Sequence, residues 1–327
     1  NKDFQKLMNK VARDMAINSP TKPCNTLPFV MLDNTTWDTL CERIKFHGEE
    51  KEQELSYESK KKVEASKDNQ LPLDNSITDV WKSNNENFFK RIKNYSNELD
   101  NMVTKKGEES LLAVIYADGN NMGDKIQRKS RNIAEDYDAR VKHFRTQSND
   151  IDAHFVNRGF TEIFNKACSL VEGENKYQLT TNSFIFRPII AGGDEVTLIC
   201  NARLALELAK AYLDSVNNDG YSSSAGIAVF HSHYPFSKAY SIAEQCCENA
   251  KKKAKEISNT ANISTIEFQF IHSGANEDLD SIRKHTKDKI ARPYLVYADK
   301  AVVKHCEAKF IKLDELNTLA KKLDKDN

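Results

Sequence analysis

Seven consecutive apolar residues, Leu111 to Ala117, stop abruptly at Asp118-Gly119. The run is far too short to cross a bilayer as a helix, which takes about 20 residues. It lacks the alternation of a half-exposed strand, so it reads as a central strand buried on both faces. Gly119-Asn120-Asn121-Met122-Gly123 follows as a turn.

The elements that follow fit that strand. Arg128 to Asp150 is polar and reads as an insertion, and Ile151 to Leu170 reads as a helix. Phe184 to Ala191, Gly192-Gly193 and Val196 to Cys200 read as strand, tight turn and strand, a β-hairpin with Asp194 and Glu195 at its tip. Asn201 is placed to cap a helix with the apolar stripe Ala205, Leu208, Ala209, Tyr212 and Val216. Ser224 to Phe230 is another strand, followed by a helix through Phe236, Ala239, Tyr240, Ala243, Cys247, Ala250 and Ala254. Thr265 to Ile271 is read as the last strand. The order describes an α+β sandwich with a mixed or antiparallel sheet and packed helices.

Before position 107 the texture differs. Of 11 glycines only Gly48 lies there, so the first hundred residues have few φ > 0 turns and are expected to be mostly helical. Phe4, Leu7, Met8, Val11 and Met15 recur at helical spacing up to Pro20 and Pro23, and Trp81, Phe88, Phe89, Ile92 and Leu99 suggest a second amphipathic helix. Glu42 to Gln70, dense in Glu, Lys and Ser, reads either as a solvated helix or as a disordered insertion.

Lys+Arg and Asp+Glu both total 48 in 327 residues, a formal net charge of +0. That excludes a generally basic nucleic-acid binder, so any polyanion site must be local. The seven cysteines form an odd set without a Cys-x-x-Cys pair, which disfavours a zinc finger or a disulfide framework and fits a reduced cytoplasm. The chain starts at Asn1, and an N-terminal region is expected to precede it.

Chemistry is concentrated where the strands stop. A carboxylate ending a hydrophobic strand is costly unless it is paired, hydrogen-bonded or bound to metal. If the strands bearing Asp118 and Asp194-Glu195 are neighbours, these residues form an oxygen-ligand pocket for Mg²⁺ or Mn²⁺, whose shell would be completed by substrate phosphates. The competing reading is plain: Gly-Gly-Asp is a common turn sequence, and acidic turn residues usually face water.

Ile115-Tyr-Ala-Asp-Gly-Asn-Asn-Met-Gly123 and Ala191-Gly-Gly-Asp-Glu-Val-Thr-Leu-Ile199 together resemble the second palm domain of the large polymerase-like subunit of type III CRISPR effector complexes. Ala225 to Tyr240, Ala243-Glu244, Ala250-Lys251 and Ala291-Arg-Pro-Tyr294 extend the resemblance over residues 108–297. Several motifs in the right order are far more specific than either acidic motif alone. Diguanylate cyclases share the palm and the Gly-Gly-Asp-Glu hairpin, but Val196 stands here where they carry Phe. The resemblance implies a ferredoxin-like palm over 108–297; residues 1–107 are read as a mostly helical, partly disordered linker or partner region, and 298–327 as a helical extension.

It also implies roles for residues. Asp118 and Asp194 would ligate Mg²⁺ or Mn²⁺ with the Gly119 carbonyl, and Glu195 would be a further catalytic or metal-binding carboxylate. Backbone N–H groups from Asn120 through Asn121 and Met122 to Gly123 would cradle a triphosphate, with Gly192 and Gly193 also at the nucleotide and Lys251 on its phosphate oxygens. Two positions depart from the family pattern: Asn120 and Glu195 each stand where Asp is usual. The implied activity is attack of a ribose hydroxyl on an α-phosphate with loss of pyrophosphate, giving a cyclic or linear oligonucleotide second messenger, ATP being the favoured substrate, in cytoplasmic antiviral defence. The alternatives are a catalytically weak nucleotide sensor or assembly module, and a diguanylate cyclase. A partner palm or a homodimer would complete the pocket; neither a membrane nor nucleic acid is expected as a partner.

Other residues are read as structural. His231 and His233 are assigned to a strand-to-helix junction, where structure or substrate contact outweighs metal binding, and Cys246 and Cys247 to the core. Of Lys251-Lys252-Lys253 only Lys251 is nominated. No His-Asp dinucleotide occurs, so the nuclease domain of some family members is not expected.

Overall fold

The computed structural model describes residues 40–45, 52–68, 99, 102–103, 109–130, 137–172, 186–217, 220–271, 278–284, 292–316 and 318. The chain divides into two units, Asn1–Pro72 and Leu73–Asn327. The helices expected around Phe4 to Met15 and Trp81 to Leu99 lie outside the described residues, Leu99 excepted.

In the described part of the first unit the solvated-helix reading of Glu42 to Gln70 holds for Tyr57–Asp68, while two strands stand before it. Strand β1 (Leu40–Lys45) pairs antiparallel with β2 (Glu52–Ser56), and helix α1 (Tyr57–Asp68) follows. Few apolar residues mark these strands. The ladder instead carries a charged pair directly across it, where the Arg43 guanidinium donates to Glu54 Oε1 from Nε at 3.1 Å and from Nη2 at 2.8 Å.

The second unit is built on six strands: β3 (Leu111–Gly119), β4 (Phe186–Gly192), β5 (Glu195–Asn201), β6 (Ser223–His231), β7 (Ile263–Phe270) and β8 (Tyr294–Ala298). Their spatial order is β4-β5-β3-β6-β7-β8. Only β6 and β7 run parallel, joined by a helical crossover; every other pairing is antiparallel. The mixed sheet is as expected, and β3 to β6 form the β-α-β-β-α-β unit of a ferredoxin-like palm. Strand β8 was not expected. It is fastened to β7 through the Ala-Arg-Pro-Tyr motif: Arg292 donates to the Phe268 carbonyl, and Tyr294 stacks on the Phe268 ring at 5.6 Å.

Both faces of the sheet are covered, which is why β3 is apolar without alternation. Ala113, Ile115 and Ala117 pack with Phe155, Phe160, Phe164, Leu208 and Tyr212 on one side. Leu112, Val114 and Tyr116 pack with Ala239, Ile242, Ala243, Cys246 and Cys247 on the other. The two cysteines are buried core residues, as expected.

The described residues of the polar stretch Arg128 to Asp150 are helical. Helix α2 (Met122–Ser130) starts at the turn after β3, and α3 (Tyr137–Ile151) buries little more than Gln147 and Ile151, which explains its polar sequence. The helix read over Ile151 to Leu170 opens as a π-helix, Asp152–Arg158, and continues as α4 (Gly159–Glu172). Asn201 accepts from Arg203 N at 3.0 Å and starts a 3₁₀ turn that leads into α5 (Ala205–Val216). Helix α6 (Phe236–Ile257) covers β6 and β7, and α7 (Leu279–Lys284) lies between β7 and β8. After β8, helix α8 (Val303–Lys309) and the buried Leu313 pack back on the fold. No helix among the described residues is long and apolar enough to cross a membrane.

Candidate active site

Strand pairing carries the acidic motifs together. In β3, Asp118 lies opposite Glu195 of β5 on one side and Ser224 of β6 on the other. The β4–β5 hairpin turns through Gly193 and Asp194. Gly193 has φ +59°, a left-handed conformation that glycine adopts without steric cost. Its N–H donates to Asp152 Oδ1 at 3.0 Å, and Gly119 N–H donates to the Asp194 carbonyl at 3.1 Å, so the hairpin tip is tied to the end of β3.

Gly119 is needed here for space. A Cβ at this position would lie 2.8 Å from both Cβ and Oδ2 of Asp194, so the Asp194 carboxylate folds across the glycine towards Asp118. Burial raises the Asp194 carboxyl above its ordinary value; the neighbouring Asp118 charge raises it further, while Lys251 opposes the shift.

Lys251 comes from α6. Its ammonium is ion-paired with Asp118 Oδ2 and donates to the Gly119 carbonyl at 2.9 Å. It therefore sits on two of the oxygens expected to hold a metal and acts as a stand-in cation. Two carboxylates and a backbone carbonyl form an all-oxygen donor set, which suits Mg²⁺ or Mn²⁺.

Glu195 is directed differently. Tyr240 of α6 donates to its Oε1 at 3.4 Å, and burial together with the Glu195 charge raises the Tyr240 phenol. Among the described residues no three His, Cys, Asp or Glu side chains converge at metal-ligating spacing. Asp118, Asp194 and the Gly119 carbonyl lie together at the end of β3, and Glu195, opposite Asp118 in the ladder, points its carboxylate to Tyr240.

One N–H of the expected phosphate cradle is engaged within the protein. Asn120 is 5% exposed and turns inward. Its N–H donates to the Ser222 carbonyl at 2.8 Å, and its Nδ2 donates to Ser224 Oγ at 3.1 Å and to the Ile263 carbonyl at 2.7 Å. This residue fastens β3 to β6 and β7, and its N–H is not available to phosphate. Asn121, with φ +57°, starts α2 by accepting from Lys125 N–H at 3.0 Å. The N–H groups of Met122 and Gly123 fall in the first helical turn, where none has an intrahelical acceptor. The Met122 side chain is buried, and a Cβ on Gly123 would meet nothing within 4 Å. Gly192 ends β4, exposed beside the turn.

His231 and His233 are remote from the site. His231 lies opposite Leu111, at the other end of β3, roughly 23 Å along the strand from Asp118. Both rings are exposed and face each other at 5.4 Å.

Sequence reasoning missed two supports. Ser222, Ser223 and Ser224 are all buried, and Ser223 Oγ donates to the Asp118 carbonyl at 2.9 Å. A run of three serines leading into an otherwise apolar strand was the available signal. Lys125, one turn into α2, donates to Asn262 Oδ1 at 2.9 Å, and burial, with Arg128 nearby, pushes its ammonium down to about 8. Nothing in the local sequence marked it.

Residues 111–260 match the family model of Cas10/Cmr2, second palm domain. Several solved structures are similar. A Csm1-Csm4 cassette in complex with pppApA is 16% identical with a TM-score of 0.33, covering 44% of this chain and 19% of that one. Csm1 in T. onnurineus is 15% identical with a TM-score of 0.34, covering 48% and 20%. A Csm1-Csm4 subcomplex of the type III-A CRISPR-Csm interference complex is 13% identical with a TM-score of 0.35, covering 59% and 26%. The chain thus spans about a fifth to a quarter of the length of these structures. No curated protein matches it.

Proposed function

With residues 111–260 matching the Cas10/Cmr2 second palm domain, we propose that this chain carries the metal- and nucleotide-binding half of a nucleotidyltransferase that joins nucleoside triphosphates, ATP first among them, into a cyclic or linear oligonucleotide. The observation that carries the reading is the Lys251 ammonium held on Asp118 and the Gly119 carbonyl, with the Asp194 carboxylate packed against the same glycine.

Asp118 and Asp194 would hold Mg²⁺ or Mn²⁺ with the Gly119 carbonyl. When bound, such ions stabilise both the attacking hydroxyl and the leaving phosphate oxygens of an in-line displacement. The N–H groups at the start of α2 orient the triphosphate, as orphan donors at a helix N-terminus favour an anion. Lys251 balances phosphate charge. Tyr240 holds Glu195 to one side, where its charge adds to the acidic field of the site. The ribose hydroxyl would attack the α-phosphorus and give its proton to solvent, the bond to the bridging oxygen would break, and pyrophosphate would leave. No protein side chain becomes covalently attached.

A weak or non-catalytic nucleotide sensor is favoured by one observation: Asn120, at the place of the usual second Asp, is turned into the protein. In that reading a partner palm or a second copy would supply what is lacking. The test is incubation of the chain with each NTP and Mg²⁺ or Mn²⁺, following pyrophosphate and products by chromatography. Product from ATP that disappears in Asp118→Ala and Asp194→Ala supports the transferase. Metal-dependent ATP binding without turnover supports the sensor, a cyclic dinucleotide from GTP supports a diguanylate cyclase, and turnover surviving both substitutions sinks the assigned site.

A further inference from the structure

Lys251, assigned above to balance phosphate charge, sits in this structure on the acidic site itself. Its ammonium takes up Asp118 Oδ2 and the Gly119 carbonyl together, two oxygens that a divalent cation would need. Only 17% of the Lys251 side chain and 32% of the Asp118 side chain are exposed, so the pair is partly shielded from water. The backbone that carries Lys251 has little room to retreat, because Ala243, Ala250 and Ala254 of α6 are buried. The Ala250 carbonyl also accepts from Thr265 Oγ1 at 3.0 Å. Movement is therefore confined to the side chain.

We propose that Lys251 is a specificity-determining residue: it makes the site accept a divalent cation together with a triphosphate and reject the free cation. The inference rests on the nucleotide-binding reading above. A bare cation would have to displace the ammonium and leave two positive centres close together in a partly buried pocket, where like charges repel strongly. A cation arriving with a triphosphate brings anionic oxygens that accept the displaced ammonium. The lysine then moves from carboxylate to phosphate without losing its counter-charge.

The test uses Mn²⁺ and the non-hydrolysable analogue AMPPNP on the full 327-residue chain, with bound Mn²⁺ followed by electron paramagnetic resonance. In the unsubstituted protein, Mn²⁺ alone binds at least about ten-fold more weakly than with saturating AMPPNP, within the usual range of coupling between two ligands. Lys251→Met binds free Mn²⁺ about ten-fold more tightly than the unsubstituted chain and binds AMPPNP more weakly in the presence of Mn²⁺. Lys251→Arg, which keeps the charge, still excludes the free ion. Equal affinity of the unsubstituted chain for Mn²⁺ with and without AMPPNP overturns the proposal without any variant being needed. So does a folded Lys251→Met, or Lys251→Gln if the former does not fold, that gains no affinity for free Mn²⁺. If the unsubstituted chain binds Mn²⁺ with AMPPNP in an Asp118-dependent way and only the Lys251 effect is missing, the nucleotide reading stands. If no Asp118-dependent binding occurs at all, both fall.

Discussion

A methyl group on Gly119 would lie 2.6 Å from Met122 Cγ and 2.8 Å from Asp194 Oδ2. Gly119→Ala must therefore displace the side chain on which the donor set depends. We expect a cost of roughly 1–3 kcal/mol in unfolding free energy and loss of metal-dependent nucleotide binding by calorimetry; tight binding retained by this variant would contradict the site. Gly123 offers a contrast, since a Cβ there meets nothing. Gly123→Ala within α2 should leave stability unchanged or raise it by up to about 1 kcal/mol, while weakening the triphosphate if the backbone approaches phosphate at this point. Asp194 gives a pH signature. Its carboxyl is raised above 3.8 by burial first and by Asp118 second, so the folded protein binds this proton more tightly than the unfolded chain does. The resulting stabilisation is complete below the unfolded value and is lost as pH rises through the higher folded value. Asp194→Asn should flatten that fall and be more stable than the unsubstituted chain near neutral pH, as urea midpoints from pH 4 to pH 7 would reveal. A steeper fall in the variant would count against the coupling.

At the scale of elements, the site depends on how α6 lies on the sheet. A Cβ on Gly226 of β6 would lie 1.9 Å from the Ala243 carbonyl and 2.4 Å from Cys247 N, so helix and strand touch backbone to backbone. A line of hydroxyls then joins the acidic loop to the turn that bears Lys251. Asn120 Nδ2 donates to Ser224 Oγ, which lies 3.1 Å from Thr265 Oγ1, and Thr265 donates to the Ala250 carbonyl. Thr265→Val keeps the volume but leaves buried partners without their hydroxyl, at a cost of roughly 1–3 kcal/mol. Thr265→Ser should restore most of it in denaturant unfolding, and failure of the serine to do so would argue against the hydroxyl line. Much of this scale was legible in the sequence. The run Leu111 to Ala117 marked a doubly buried strand, Gly-Gly-Asp marked the hairpin turn, and the alanine and cysteine stripe marked α6. The polar helices α2 and α3 escaped, because a helix that buries two residues has almost no apolar period to detect. The inward turn of Asn120 escaped as well: its buried partners come from β6 and β7, more than a hundred residues further along the chain.

The whole molecule comprises two units, and the sequence pointed to chemistry only in the second. The β1–β2 hairpin was hidden by its charge, since a cross-strand pair such as Arg43 and Glu54 looks in sequence like any solvated segment. On β7, in line with Gly226 of β6 and Tyr116 of β3, the second unit carries a buried ion pair between Glu267, 2% exposed, and Arg283 of α7. Burial raises the Glu267 carboxyl while Arg283 pulls it back down. Arg283→Met would remove that counter-charge and should destabilise the protein by roughly 3–5 kcal/mol, read as a lower urea midpoint, and an unchanged midpoint would contradict it. A zero net charge is consistent with this design, in which charges are settled in local pairs and one small acidic pocket. The most direct measurement of that pocket is an anomalous difference map from a crystal grown with Mn²⁺ and AMPPNP. A peak bounded by Asp118, Asp194 and the Gly119 carbonyl is expected, with the Lys251 ammonium moved from Asp118 to a phosphate oxygen. A peak elsewhere, or a Lys251 ammonium still on Asp118 beside bound nucleotide, would contradict it.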